Sequence, residues 1–264
     1  MTTSNVASGR VGGQTEYAAP PIVEALCQFN FSRALDWSPV LPGLVYEKIR
    51  ASYPQTPEVQ QELQANVMVP ADGLGEAQFN MGQGEQRLIF ANDQRNRLVL
   101  LAPSMLSVNS LPPYEGWPSL HRRTADVIRK TKSELRDLAV TTVSVRYINR
   151  VSLPWVAGTK LQDYFDVPYR VVGPEGSTLD QILLRQESSL GDGSVKGIRT
   201  FTRVDSDDSQ GPEKRDFVLD LEFVKIFDTP VSFEDALESA GELKILENQE
   251  FEGCITDKTR ELFG

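Results

Sequence analysis

Hydrophobic and polar residues alternate most regularly between Thr142 and Pro154, just past the middle of the chain. One face of this stretch is apolar except at one position, and it carries Val143, Val145, Tyr147, Asn149, Val151 and Leu153. The other face is mostly polar and carries Ser144, Arg146, Ile148, Arg150 and Ser152. A period of two over this length indicates an antiparallel strand with one buried face. Asn149 would be buried with the apolar side chains, so its amide needs hydrogen-bond partners.

The segments before this strand predict, in order, a strand, a helix, a run of short strands and a long helix. They are a strand at Ile22–Phe31, a helix entered through Ser38-Pro39, strands at Glu76–Met81, Arg87–Ala91, Arg97–Leu101 and Met105–Leu111, and a helix from Leu120 to Leu138. Ser-Pro is typical of a helix start, and Gly82-Gln-Gly84 is typical of a hairpin turn. Gln55–Asp72 is polar, and we expect a connection there with one short strand.

The segments after the central strand predict the same order. They are a short helix at Lys160–Phe165, strands at Leu179–Ser188, Val195–Val204 and Arg215–Val224, and a long helix that Ser232 caps. A helix laid across an antiparallel meander buries the apolar faces of both. The predicted fold class is therefore α+β, with two similar units in tandem, each built as strand–helix–antiparallel meander–long helix, and with the helices packed on one face of the sheets.

The predicted domain organisation rests on this repeat of element order, which no repeated residues accompany. Residues 1–19 are polar and rich in Gly, Ser and Thr, so we expect a disordered leader that lacks the apolar core of a secretory signal. Residues 20–139 and 140–264 are the two α+β units, and they can also form one continuous domain.

Composition narrows the class of protein. The chain has 264 residues and a formal net charge of −10, which disfavours non-specific binding to nucleic acid. No apolar run approaches the roughly 20 residues that span a bilayer, so we expect a cytoplasmic protein that does not enter a membrane. The two cysteines, Cys27 and Cys254, form neither a disulfide framework nor a zinc pattern, and we expect both to be reduced and buried.

Motifs of known chemistry are missing from the sequence. His121 is the only histidine, and the chain contains no nucleophile elbow, P-loop, HExxH or CxxC motif. We therefore expect no cofactor, no metal and a role that is not enzymatic. A carboxylate-based enzyme that uses Asp220 and Glu222 for acid–base work remains an open alternative.

Charged side chains on the strands are the candidate ligand-binding residues. Alternation places Asp220 and Glu222 on the polar face of one strand, and Arg146 and Arg150 on the polar face of the central strand, while Arg199 lies on a third. These five residues would anchor a small molecule or a nucleotide held between the sheet and the long helix. The other interpretation is a cross-strand ladder of opposite charges that serves the fold.

Two predicted helices carry opposite charge. Arg122, Arg129 and Arg136 recur at heptad spacing on the helix that starts at Leu120, and they are the candidate partner-binding residues, for an acidic partner or for nucleic acid, which the net charge disfavours. The last long helix is acidic, with Lys244 as its single base between Asp228 and Glu252. The two helices could mate within the chain or between subunits, and a solvated surface is the alternative for each. We therefore expect another protein, a homo-oligomer or both as partners.

Five segments together resemble a known family. They are Pro20-Pro-Ile-Val-Glu-Ala25, Pro113-Tyr-Glu-Gly-Trp117, Val145-Arg-Tyr-Ile-Asn-Arg150, Phe217-Val-Leu-Asp-Leu-Glu-Phe223 and Phe251-Glu-Gly-Cys-Ile-Thr-Asp-Lys-Thr-Arg-Glu-Leu-Phe263. In order and spacing they are similar to a family of sporadically distributed, uncharacterised prokaryotic proteins of about this length. The resemblance assigns no residue a role. Patchy distribution implies an accessory function in defence, toxin control or stress.

Three functions follow from the sequence. The first is a non-catalytic protein-interaction component, which the resemblance implies to belong to a mobile defence or toxin-control system. The second is a module that binds a small molecule or a nucleotide, and the third is the carboxylate-based enzyme.

Overall fold

The computed structural model describes residues 17–68, 78–135, 138–169, 180–204 and 214–264. Within these residues the chain forms nine strands, β1 to β9, with the bounds Ile22–Phe31, Glu58–Met68, Gln78–Ala91, Arg97–Leu101, Met105–Ser110, Val140–Pro154, Leu183–Leu190, Val195–Val204 and Lys214–Val231. It also forms four helices, α1 to α4, with the bounds Leu41–Ile49, Trp117–Thr131, Phe233–Cys254 and Asp257–Arg260. One turn of 3₁₀ helix lies at Leu161–Asp163.

The strands belong to one sheet with the order β2-β3-β4-β5-β1-β6-β9-β8-β7. The pairs β2–β3, β3–β4, β4–β5, β7–β8 and β8–β9 are all antiparallel. The predicted α+β class with a large antiparallel sheet is therefore confirmed. The predicted pair of similar tandem units is not supported, because the strands of both halves join a single nine-stranded sheet.

The chain forms two compact units, each made of separate segments. One unit contains residues 1–25, 144–226 and 238–264, and the other contains residues 26–143 and 227–237. Their boundaries fall inside β1, β6, β9 and α3. The predicted units 20–139 and 140–264 were based on the order of strands and helices along the chain, and that division stays a prediction.

Alternating strands form where the sequence predicts them. β1, β4 and β8 have the predicted bounds, and β6 extends the central strand by two residues to Val140. The apolar face of β6 is buried as predicted. Asn149 is also buried, and its Nδ2 donates to the carbonyl of Leu219 on β9 at 3.2 Å. The strand therefore keeps one polar residue inside because the neighbouring strand supplies an acceptor.

The strand predicted within the connection Gln55–Asp72 is much longer than expected, and residues 69–72 lie outside the described residues. Residues Glu58–Met68 form β2, which pairs with β3 from Glu58 opposite Ile89 to Met68 opposite Gln78. The predicted turn at Gly82-Gln-Gly84 is wrong, since β3 continues through it and Gly82 pairs with Gln64. Both differences have one cause. Ladder hydrogen bonds between distant segments stabilise a polar strand that local periodicity does not indicate.

The helices form in the segments where the sequence predicts them and differ at their ends. α1 begins at Leu41 and buries Leu41, Val45 and Ile49, whereas Leu44 is exposed. α2 begins at Trp117 and ends at Thr131, earlier than the predicted Leu138. α3 runs to Cys254, and at its start the Asp235 amide donates to the Ser232 hydroxyl at 3.1 Å, which is the expected cap.

Aromatic rings fill the core of each unit. In the unit that contains α4, Phe201 stacks on Phe217 with ring centroids 5.7 Å apart, and Phe165 meets Phe201 edge-on at 4.8 Å. In the other unit, Phe233 packs against Phe29 and Phe31 at 5.8 and 5.9 Å. Such pairs add about 0.5–1.5 kcal/mol each to the burial of their area.

The predicted leader ends in an ordered segment. Residues 1–16 lie outside the described residues, but the Tyr17 hydroxyl donates to Glu252 at 2.7 Å and its ring packs against Phe263. The amide of Ala19 donates to the carbonyl of Phe263 at 2.9 Å. Over the described ranges no helix is both long enough and apolar enough to cross a membrane.

Candidate functional site

Arg146 and Asp220 form the centre of the candidate ligand-binding set. Arg146 on β6 donates from Nε and Nη2 to the two carboxylate oxygens of Asp220 on β9, at 2.8 and 2.6 Å. The Asp220 carboxylate raises the pKa of the Arg146 guanidinium above its ordinary value by accepting these bonds. A fork of two parallel bonds fixes both side chains. It also occupies both Asp220 oxygens.

Arg150 and Asp216 form a second pair on the same two strands. The Asp216 carboxylate is fully buried, and it accepts from Nε of Arg150 at 2.9 Å and from the Ser152 hydroxyl at 2.5 Å. Every second residue of a strand points to the same face, and the two arginines and the two aspartates are each four residues apart, so both pairs lie on one face. The two pairs therefore form a ladder of opposite charges across β6 and β9.

Glu222 lies beside this ladder. It is half-buried on β9, two residues beyond Asp220, and its charge acts on Arg146. Within the ranges described above, His, Cys, Asp and Glu residues form no cluster that could hold a metal ion. The structure thus brings together four of the five candidate residues, namely Arg146, Arg150, Asp220 and Glu222.

Arg199, the fifth candidate, belongs to a different contact. It lies on β8 and donates from Nη1 to Glu250 on α3 at 2.8 Å, and from Nη2 to Gln186 on β7 at 2.5 Å. Nη1 also lies 3.3 Å from the sulfur of Cys254. Arg199 therefore links the sheet to the long helix, apart from the ladder on β6 and β9.

A groove of about 250 Å³ opens beside Arg199 between α3 and strands β7 to β9. Gly197 forms its floor, where an added Cβ would lie 3.0 Å from the Phe223 ring and from the Ser188 hydroxyl. Gln186 and Gln249 supply amides at its walls. The lining of the groove thus combines a residue without a side chain with several hydrogen-bonding groups.

Cys254 is a buried thiol that contacts Arg199. Burial raises its pKa from 9.0 to about 11. A thiol protonated at neutral pH is a poor nucleophile and a poor metal ligand. Cys27 is also free and buried, so both cysteines occupy the structural positions that the sequence predicts.

Lys244 and Glu247 form a buried pair that sequence reasoning missed. Both residues lie on α3, the Lys244 ammonium contacts the Glu247 carboxylate, and it lies 3.7 Å from the centre of the Tyr147 ring. Burial lowers the pKa of Lys244 and raises that of Glu247. The one available signal was that Lys244 is the single base in an acidic helix.

The candidate partner-binding residues lie on and beyond α2. Arg122 is exposed, with Nη2 3.4 Å from the Ser119 hydroxyl, and Arg129 is exposed and ion-paired with Asp126. Arg136 lies outside the described residues. Further along, Lys132 pairs with Glu234 at the start of α3 at 2.8 Å. Acidic neighbours therefore compensate much of the positive charge that the sequence places on this helix.

Glu115 is the centre of a second network that the sequence did not reveal. It accepts from Nε of Arg123 at 2.9 Å and lies 3.3 Å from Nε of Arg97. Arg123 also donates to the Tyr53 hydroxyl at 3.0 Å, and Arg97 donates to the carbonyl of Leu111 at 2.9 Å. The network fixes the loop that leads into α2, where Gly116 adopts a φ of +82°.

His121 follows this loop on α2 and contacts Trp117, with ring centroids 5.3 Å apart. This contact gives the single histidine a packing role.

Comparison with known proteins adds no assignment. A scan against protein-family models and a search of curated proteins both find no match to this chain. The geometry of the described residues therefore carries the functional interpretation.

Proposed function

We propose that the protein is a non-catalytic protein-interaction component. The observation that carries the proposal is the engagement of the strand carboxylates. Asp216 and Asp220 each accept hydrogen bonds from an arginine, and Asp216 is completely buried. Carboxylates held in this way stabilise the fold and are poorly placed to exchange protons with a substrate. The resemblance of the five segments extends the proposal to an accessory defence or toxin-control system.

The partner class follows from charge. The net charge of −10 favours a protein partner or a second copy over nucleic acid. Glu238 and Glu242 are exposed on α3, and an exposed Ile245 follows them. An apolar residue beside exposed acids fits a partner surface with apolar and basic groups.

Native mass spectrometry of the full chain, purified from its own cells and titrated over protein concentration, tests this proposal. We expect the mass of a complex that contains a second polypeptide, either another protein or another copy. A bare monomer at all concentrations, or a monomer that carries only a small adduct, would contradict the proposal.

A second candidate function is supported by the groove beside Arg199. Its volume of about 250 Å³ suits a small polar molecule, because Arg199 and two glutamines in its lining offer hydrogen-bonding groups. Thermal shift measurements against a panel of nucleotides and metabolites test this candidate. A stabilising ligand should lose its effect in Gln249→Ala and keep it in Glu238→Ala, a matched control on α3 that lies away from the groove lining.

A further inference from the structure

Strand β7 ends the sheet among the described strands, since β8 is its one neighbour in the strand order. It pairs with β8 in a regular antiparallel register from Leu183 opposite Thr202 to Leu190 opposite Val195. Six of its eight residues are exposed, and Leu183 is exposed to 70%. An exposed edge of this length is a template for pairing with another strand.

A hydrogen bond at the start of β7 shows which of its residues bond to β8 and which point away from it. The Arg203 amide donates to the carbonyl of Ile182 at 3.2 Å, so this pair is a hydrogen-bonded pair of the β7–β8 ladder. In an antiparallel ladder such pairs occur at every second residue. Even-numbered residues of β7 therefore bond to β8. The N–H and C=O groups of Leu183, Arg185, Glu187 and Ser189 point to the open edge.

The side chains at these positions include one positive and one negative charge. Arg185 and Glu187 are exposed to 56% and 57%, and they form an ion pair along the strand at 2.8 Å. They flank Gln186 symmetrically. A second copy of β7 that runs antiparallel about a twofold axis at Gln186 places each Arg185 opposite Glu187 of the other copy.

Charge selects this register over the adjacent ones. A twofold axis at Arg185 would set the two arginines opposite each other, and an axis at Glu187 would set the two glutamates opposite each other. Like charges directly opposite destabilise a strand pair, whereas opposite charges stabilise it. With the axis at Gln186, the outward groups of all four residues meet outward groups of the second copy, which gives about eight main-chain hydrogen bonds.

We propose that two copies of the chain associate through β7, antiparallel and centred on Gln186, to form one continuous sheet. This inference rests on the proposed interaction function and names a second copy as the partner. The surface is self-complementary, as a twofold interface requires. The acidic net charge opposes association at low ionic strength, so added salt should strengthen the dimer until it screens the two Arg185–Glu187 pairs.

Charge reversal tests the register. In sedimentation velocity experiments over a range of concentrations, we expect the wild type to form a dimer. Arg185→Glu and Glu187→Arg should each raise the dimer dissociation constant at least about tenfold, because each creates two like-charge pairs. The variant that carries both changes should recover the wild-type constant, because both pairs then regain opposite charges. Equal weakening in the single and double variants would overturn the inference.

A backbone variant provides the independent control. Ser189→Pro removes an outward N–H and leaves the even-numbered bonds to β8, and proline is tolerated on edge strands. We expect it to abolish the dimer with an unchanged circular dichroism spectrum. A dimer that persists in this variant would place the interface elsewhere. A wild-type monomer that still captures another protein would overturn pairing through β7 and leave the proposed function standing, whereas a monomer without any protein partner would defeat both.

Discussion

Arg150 donates two hydrogen bonds to Asp216 from a position that is 38% exposed, although the carboxylate that receives them is fully buried. The two members of this pair therefore depend on each other unequally. Water can solvate Arg150 if Asp216 is removed. Asp216 has only the Ser152 hydroxyl as a further side-chain donor, among the described residues, if Arg150 is removed.

This asymmetry predicts unequal losses of stability. Arg150→Ala should cost about 3–5 kcal/mol, because it leaves a buried charge without its counter-ion. Asp216→Ala should cost less, about 1–3 kcal/mol, because the orphaned donors can reach water. Urea unfolding of both variants measures the difference. Arg150→Lys keeps the positive charge but cannot donate two parallel hydrogen bonds, so its stability should lie between those of wild type and Arg150→Ala. Equal losses in the two alanine variants would show that the pair does not behave as described.

The buried pair on α3 should respond differently to single and double replacement. Lys244→Met should cost about 3–5 kcal/mol, since Glu247 would remain buried and unpaired. The double variant Lys244→Met, Glu247→Leu should be as stable as wild type or more stable, because apolar groups of similar size replace both charges. The free energies of unfolding of the two variants test this. A double variant as unstable as the single one would mean that the pair itself stabilises the helix.

Lys244→Met should also acquire a pH dependence. Burial raises the pKa of Glu247 in the folded chain, and the lysine that opposes this shift is absent in the variant. A folded pKa above the unfolded value means that the folded state binds more protons, so stability falls as pH rises. Unfolding measured between about pH 5 and pH 8 should show this decline in the variant and a weaker one in wild type.

The thiol of Cys254 should be unreactive in the folded protein. Its pKa of about 11 keeps it protonated, whereas the unfolded thiol ionises near 9.0. Because the folded pKa is higher than the unfolded one, the free energy of unfolding does not depend on this thiol below about pH 9. It falls by roughly 2–3 kcal/mol in total as the pH rises toward 11. Cys254→Ala should remove that part of the alkaline decline. Maleimide labelling near neutral pH should be slow in buffer and fast in urea, and fast labelling in buffer would contradict the burial described.

The Glu115 network should control the loop before α2. Glu115→Ala removes the acceptor shared by Arg97 and Arg123, both more than four-fifths buried, and should cost about 2–4 kcal/mol. Glu115→Gln retains one acceptor oxygen and should cost less. Hydrogen exchange should accelerate in residues 111–120 in the alanine variant. Unchanged exchange there would mean that the loop is held by other contacts.

Local patterns predicted the elements that are stabilised by their own amphipathicity. The strand β6 and the part of α2 between Leu120 and Thr131 were both predicted correctly, because one buried face imposes its period on the sequence. The length of β2 was underestimated because a polar strand derives its order from pairing with β3. The sequence left open whether both halves join in one sheet, since no single segment determines the order of the strands.

The candidate site divides along the same line. Alternation placed Arg146 and Arg150 on the polar face of one strand and Asp220 on that of another, which is enough to suggest the ladder that β6 and β9 form. It did not indicate that Arg199 reaches Glu250, because that contact joins a strand to a helix 51 residues later in the chain. The sequence did not indicate the role of Glu115, since its two arginine partners lie on different elements, Arg97 on β4 and Arg123 on α2.

The floor of the groove has an evolutionary consequence. At Gly197 a methyl group would meet both the ring of Phe223 and the hydroxyl of Ser188. A side chain at residue 197 therefore requires the residues at positions 188 and 223 to give way. In any related sequence where residue 197 acquires a side chain, we expect the aromatic at 223 to be replaced by a smaller residue. A covariation signal should then connect two positions that lie opposite each other on β8 and β9.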